Sequence, residues 1–319
     1  MLFAYQAQGA KLQRLEADQP LDGAVWIDLY RPLSSQVKAA QAFGIEVPTL
    51  AEMEEIEVSN RLYRENGIDY ITVVLPGLSD TKEAMSGPVT FVITPERLFT
   101  VRHHDPRPFT TYPERADRVG PGIADSGQAF LSLIEEIIGR LADLLESSGR
   151  ALDTLAREVY SDTGTTDADQ LQAALRRTGR EGEQIARVRL SLLTIERAIS
   201  YFGQSLTDEH RGTALKAPVK GLMRDIHALE VHADHLSSRV ALASDSTMGM
   251  INLSQNQTIK IVSIVAVVFL PPTVIASAYG MNFEVMPELK WVWGYPMALG
   301  LMVASAVGTY LFFKWRRWL

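Results

Sequence analysis

The 319-residue chain contains no cysteine. Disulfides, thiolate metal sites and cysteine nucleophiles are therefore excluded. No GxxxxGK[ST] run occurs, so the chain offers no phosphate loop of the ATPase kind, and an enzyme is not expected. Residues 1–18 have no apolar core behind a basic start, and they are not Arg-rich and acid-poor. Neither a secretory signal nor an organelle transit peptide is expected there. Basic residues are also in deficit, with 31 Lys and Arg against 38 Asp and Glu and a net charge of −7. The deficit is local. Beyond Ile259 stand five basic and two acidic residues, so the first 259 residues carry −10. An acidic region of that size argues against nucleic acid as a partner and is compatible with cations.

Charge is missing altogether from two stretches, Ile261–Tyr279 and Tyr295–Phe313, each 19 residues long. Both approach the ~20 residues a helix needs to cross about 30 Å of hydrocarbon. Trp291, Trp293 and Tyr295 precede the second run, while Trp315 and Trp318 follow it, as in interfacial aromatic belts. The competing reading is a pair of buried core helices. The terminal Lys314-Trp315-Arg316-Arg317 predicts a cytoplasmic C-terminus, and two spans then place the N-terminus inside as well. The host expected from these features is a bacterial inner membrane.

The first 120 residues alternate strand and helix signals. Ala24–Leu29, Tyr70–Leu75, Val89–Thr94 and Leu98–Arg102 read as strands. Ser34–Phe43, closed by Gly44, and Thr49–Val58, entered through Pro48, read as helices. Gly120-Pro121-Gly122 marks a boundary, after which helices are expected over Gln128–Tyr160 and Ala168–Phe202. A further helix is predicted from Pro218, with small or apolar residues at 222, 226, 229, 233, 236, 240, 243, 247 and 250. Steps of four and three make a heptad seam, so this helix should pack along its length. No stop signal separates it from the first apolar run. Unbroken, Val219–Tyr279 would extend about 90 Å.

A helix that only anchors should be apolar all round. Here Asn256, Ser263, Thr273 and Ser277 fall near one stripe of the first run. Such a face could line water, or its small hydroxyl residues could pack on another helix. Pro271-Pro272 interrupts the backbone ladder in mid-span, and the freed carbonyls need a protein or water partner. Gly300, Ala304 and Gly308 form a small-residue ridge on the second run, expected to pack on the first. Neither run carries a carboxylate or histidine. A path for dehydrated metal would normally show one, whereas neutral oxygens suffice for a hydrated ion.

At the end of the first run the chain reads Tyr279-Gly280-Met281-Asn282-Phe283, followed by Met286-Pro287-Glu288-Leu289. With Phe269-Leu270-Pro271-Pro272-Thr273 and Met250-Ile251-Asn252 upstream, the chain resembles the CorA magnesium/cobalt transporter family, whose signature is the Gly-Met-Asn triplet. The resemblance implies an α+β membrane protein that assembles as a funnel-shaped homopentamer in the bilayer. It implies a cytoplasmic α/β domain (1–120), its helical part (121–215), a stalk helix (216–260) and a pore-lining span (261–279). An outside loop (280–294), a second span (295–313) and a basic tail (314–319) complete the chain. Gly280, Met281 and Asn282 would form the selectivity ring. Asn256, Leu270 and Thr273 would line the pore beside Ser263 and Ser277, with Leu270 as a hydrophobic gate. Glu288 would gather cations at the mouth. The transported and regulatory ion would be Mg2+, with Co2+ and Ni2+ as further cargo. Asp80 and Asp225 are the matches to the family's regulatory carboxylates, although Asp225 reads equally as a solvated surface residue.

Two rivals remain. Zinc-moving ZntB proteins belong to the same superfamily but usually replace the methionine of the triplet, and His227, His232, Asp234 and His235 on the stalk keep zinc in view. A membrane-anchored sensor or scaffold would use the same stalk and anchors without transporting anything.

Overall fold

The computed structural model describes residues 1–16, 19–55, 57, 61–160, 168–206, 212–281 and 286–316, without the side chains of 168, 212, 213, 288 and 289. The chain divides into two compact units, residues 1–162 with 174–244 and residues 163–173 with 245–319.

The first unit contains one mixed sheet. Its strands are β1 (Leu2–Gln8), β2 (Lys11–Arg14), β3 (Trp26–Tyr30), β4 (Leu62–Glu65), β5 (Ile68–Leu78), β6 (Ala84–Ile93) and β7 (Leu98–Arg102). Their order is β2-β1-β3-β7-β6-β5-β4, and only β3 and β7 run parallel. β7 lies where the sequence places it. β5 and β6 outrun the expected segments because they pair with each other over ten positions, from Asp69 opposite Ile93 to Leu78 opposite Ala84. Three strands, β1, β2 and β4, were not expected. A signal for β4 is present in Asn66-Gly67, whose φ values of +50° and +82° fit a tight hairpin turn.

Alternation on the central strands builds two cores. One face presents Ile27, Leu29, Phe99, Val101 and Val92 to a cluster that includes Ala40, Ile45 and Met53. These come from α1 (Ser34–Gln41), α2 (Leu50–Glu54) and the segment between them. α2 ends at Glu54, where Glu55 leaves the helix with ψ 137°, and the expected end at Val58 lies outside the described residues. The other face carries Trp26, Phe91, Thr100 and Arg102. Trp26 stacks on Tyr5 at 4.7 Å and meets the edge of Tyr112 at 5.6 Å. Tyr112 lies on α3 (Pro108–Arg115), a helix hidden from sequence reading by Pro106, Pro108 and Pro113. Phe130 of α4 (Ser126–Tyr160) packs edge-on to Phe91 at 5.2 Å and reaches Phe202 of α5 (Ala168–Ser205) at 5.0 Å.

Helix α6 runs over Gly212–Tyr279 and starts six residues ahead of Pro218. Pro218 therefore stands inside the helix and not at its first position, at the expense of one hydrogen bond to the carbonyl of Ala214. The predicted seam holds. Leu222, Ile226, Ala233, Leu236 and Thr247 are buried, and the other four seam positions are partly buried.

The second unit contains the end of α6 and helix α7 (Gly294–Trp315). Both helices are long and apolar enough to cross a membrane, and only 6% and 11% of their most apolar windows are buried. A core helix of a soluble protein would be mostly buried, so that alternative loses its support. One expectation is overturned. Gly300, Ala304 and Gly308 are exposed, and a Cβ added at Gly300 or Gly308 would meet nothing within 4 Å. The covered side of α7 carries Ala298, Met302, Ser305, Thr309 and Phe313 instead.

Candidate ion path and regulatory carboxylates

Beyond residue 250, one side of α6 is covered and the other is open. Ile264 is 7% exposed, and Val268, Pro271, Pro272 and Ile275 are partly buried. Asn256, Ser263, Leu270, Thr273 and Ser277 are all exposed, Leu270 to 63%. At 3.6 residues per turn, Ser263, Leu270, Thr273 and Ser277 lie roughly opposite the covered side, and Asn256 lies to its flank. The helix continues through Pro271-Pro272. Those prolines remove the donors for the carbonyls of Val267 and Val268.

Two threonine hydroxyls on this part of the helix are committed as donors to its own backbone. Thr273 Oγ1 donates to the carbonyl of Leu270 at 2.8 Å, and Thr258 Oγ1 to that of Ser254 at 3.1 Å. A hydroxyl whose proton is spent on its own backbone offers only lone pairs outward. Such a group accepts from water protons, and the water shell of a cation presents protons on its outside.

The helix ends at the triplet. Gly280 N–H donates to the carbonyls of Ala276 at 2.9 Å and Ser277 at 3.2 Å. Its φ is not among the positive ones, so Gly280 is not a left-handed cap. A Cβ there would stand 3.1 Å from the Ala276 oxygen, a tight but not forbidden contact. Met281 is half exposed. Asn282 lies outside the described residues. Glu288 belongs to a 3-10 turn, Pro287–Lys290, and its side chain is likewise outside the description.

The two regulatory candidates differ. Asp80 lies in the β5–β6 turn and forms an ion pair with Arg31. Asp225 is exposed on α6 and has no ion pair among the described residues. Among the described residues no three His, Asp or Glu side chains gather closely enough to hold a metal ion. Within one chain these carboxylates therefore make no cage, and each offers one exposed ligand. The stalk histidines are not gathered either. His232 and His235 are exposed, His227 Nδ1 lies 4.0 Å from Glu230, and Asp234 pairs with Arg189 at 3.1 Å.

Spacing did not reveal the segment behind Asp80. Arg102 grips Asp28 through Nε and Nη2 at 2.9 to 3.2 Å and Asp105 through Nη1 at 2.8 Å. Thr100 Oγ1 donates to Asp28 at 2.8 Å and accepts from Trp26 Nε1 at 3.0 Å. His104 is buried with Nε2 at 2.9 Å from the Leu75 carbonyl. Burial lowers its pKa to about 4, so it is neutral at pH 7.

Comparison with known proteins agrees along the whole chain. The family described as "CorA-like Mg2+ transporter protein" matches residues 22–316. The magnesium transport protein CorA of Escherichia coli (strain K12) is 35% identical over 323 residues, covering 100% of both chains. The protein of that name from Pasteurella multocida (strain Pm70) is 33% identical over 326 residues, again covering 100% of both. The fold matches the CorA magnesium transporter of Methanocaldococcus jannaschii with a TM-score of 0.73 at 17% identity, covering 100% of this chain and 99% of that one. The full-length CmaX protein matches with a TM-score of 0.64 at 16% identity, covering 99% and 97%. The chain described here belongs to the CorA-like Mg2+ transporter family.

Proposed function

We propose that this chain is one subunit of a homopentameric channel that passes divalent cations, chiefly Mg2+, down their gradient through a bacterial inner membrane. Co2+ and Ni2+ are further cargo, and both termini are cytoplasmic. The observation that carries the reading is the exposed stripe Asn256, Ser263, Leu270, Thr273 and Ser277, which leads to Gly280-Met281-Asn282. Five such stripes around an axis would offer neutral acceptors to the water shell of Mg2+, which dehydrates reluctantly. Asn282 would then select by its amide oxygen, binding weakly enough to release. Glu288 would concentrate cations outside. A membrane potential supplies roughly 4.6 kcal/mol per 100 mV for a divalent ion, so no ATPase engine is required. Asp80 and Asp225 would hold regulatory Mg2+ between neighbouring subunits and favour the closed state when internal Mg2+ is high.

Flux into proteoliposomes with Mg2+, Zn2+, Co2+ and Ni2+ in parallel, with and without an imposed potential, tests the reading. Mg2+ flux that rises with an inside-negative potential is expected. Zn2+ flux with no Mg2+ flux would favour the ZntB-like reading, and no flux of any ion the scaffold. Asn282→Gly should leave assembly intact and reduce Mg2+ flux at least about tenfold, the equivalent of about 1.4 kcal/mol. Normal flux with unchanged selectivity in that variant removes Asn282 from the filter.

A further inference from the structure

Arg31 and Asp80 are both built to meet. Arg31 follows β3 directly and takes a φ of +46°, a left-handed conformation uncommon for a residue other than glycine. Two hydrogen bonds hold it there. Its N–H donates to the carbonyl of Arg102 at 2.9 Å, and its Nε donates to the carbonyl of His103 at 2.7 Å. With Nε tied to the backbone, Nη1 is left to reach the Asp80 carboxylate.

The turn that carries Asp80 is restrained through its neighbours. Ser79 N–H donates to the Glu83 carbonyl at 2.9 Å, Lys82 N–H to the Ser79 carbonyl at 3.0 Å, and Glu83 N–H to Ser79 Oγ at 3.1 Å. The hairpin is pinned to the same 102–105 segment. Leu78 and Asp105 exchange backbone hydrogen bonds at 3.0 and 3.1 Å, and His104 fills the space over Gly77 and Gly87, where a Cβ would come within 2.8 Å of its ring. One short segment therefore fixes both the cation and the carboxylate.

We infer that Arg31 is a tethered counter-cation that occupies the Asp80 carboxylate and competes there with a divalent cation. This rests on the proposal that Asp80 is a regulatory ligand. A divalent ion must displace the guanidinium or share the carboxylate with it, so Arg31 raises the internal Mg2+ concentration needed for inhibition. The pair is part exposed, which limits the effect to about two- to fivefold.

The test measures inhibition of flux by internal Mg2+ for the full chain in proteoliposomes. Arg31→Gln should shift half-inhibition to lower Mg2+ by about two- to fivefold. Arg31→Lys keeps the charge but loses the His103 tether, and should shift it less in the same direction. In the Asp80→Asn background, Arg31→Gln should no longer move the curve. Loss of folding alone would lower flux or protein yield and would not sharpen sensitivity to Mg2+. If Asp80→Asn leaves inhibition unchanged, the regulatory assignment of Asp80 itself fails. If Asp80→Asn weakens inhibition but neither Arg31 variant shifts the curve to lower Mg2+, the competitor is overturned and the regulatory site stands. Should Arg31→Gln not assemble, Arg31→Lys decides alone by the same criterion.

Discussion

The mixed sheet and the end of α6 are similarly rich in branched aliphatic residues and treat them in opposite ways. In the sheet, Trp26, Ile27, Leu29, Phe91 and Phe99 are inaccessible. Along α6, Ile261 and Phe269 are each more than three-fifths exposed. The same side chains can be stable in both settings only if the surrounding solvents differ. Water drives the first set together, at about 25 cal/mol per Å2 of apolar surface removed. Hydrocarbon makes no such demand on the second set, which leaves shape and polar groups to decide what packs. The polar residues differ in the same way. In the sheet Asp28, Thr100 and Arg102 are buried and satisfied by one another, while on α6 the polar stripe stays open.

The contrast can be broken first at Trp26. Trp26→Ala removes a ring that packs on Tyr5, Tyr112 and Phe109 and donates to Thr100, and should cost about 3–5 kcal/mol. Thermal melting of the detergent-solubilised chain should show that loss, and a shift within error would mean the sheet does not rest on this core.

A second, slightly smaller effect comes from pH. His104 has a folded-state pKa of about 4 against an ordinary 6.5, so the unfolded chain binds its proton first as pH falls. Stability is therefore full above pH 6.5, falls between 6.5 and 4, and has lost about 3 kcal/mol from this group below that. His103 is shifted the same way by burial and adds to the slope. His104→Gln should flatten melting midpoints across that window, and an undiminished slope would move the titration elsewhere.

The smallest effect on stability is expected on the other side of the comparison. Leu270→Ser replaces an exposed leucine on the stripe and should leave the melt of the sheet unchanged. If Leu270 closes the path by excluding water, basal flux should rise on the order of tenfold, about 1.4 kcal/mol off the barrier. Unaltered flux would place the gate at another position, with Val262 the next to examine.

Much of this molecule could be read without coordinates. Two apolar runs, the heptad seam from Leu222 to Met250 and strand β7 depend on composition and period, which are local properties. β1 and β4 escaped because they are amphipathic edge or near-edge strands with few buried residues, Ala4 being the only one in β1. α3 escaped because its three neighbouring prolines read as loop, although Phe109 and Tyr112 keep helical spacing. The side of α6 left open was legible as a polar stripe, but the ridge Gly300, Ala304 and Gly308 was wrongly turned inward, since small residues alone do not say which face a helix buries.

By itself, the sequence determined where the chain can cross a bilayer, because uninterrupted apolar length is a property of consecutive residues. It also determined the family, through a triplet at the end of the first run and likeness along the full length. Tertiary structure alone decided that Arg31 lies against Asp80, 49 positions away, and that Arg102 holds Asp28 across 74. Those pairs follow from the parallel β3–β7 ladder and the Leu78–Asp105 bridge. Strand pairing between distant segments is chosen by the whole core, so no local pattern of residues announces it.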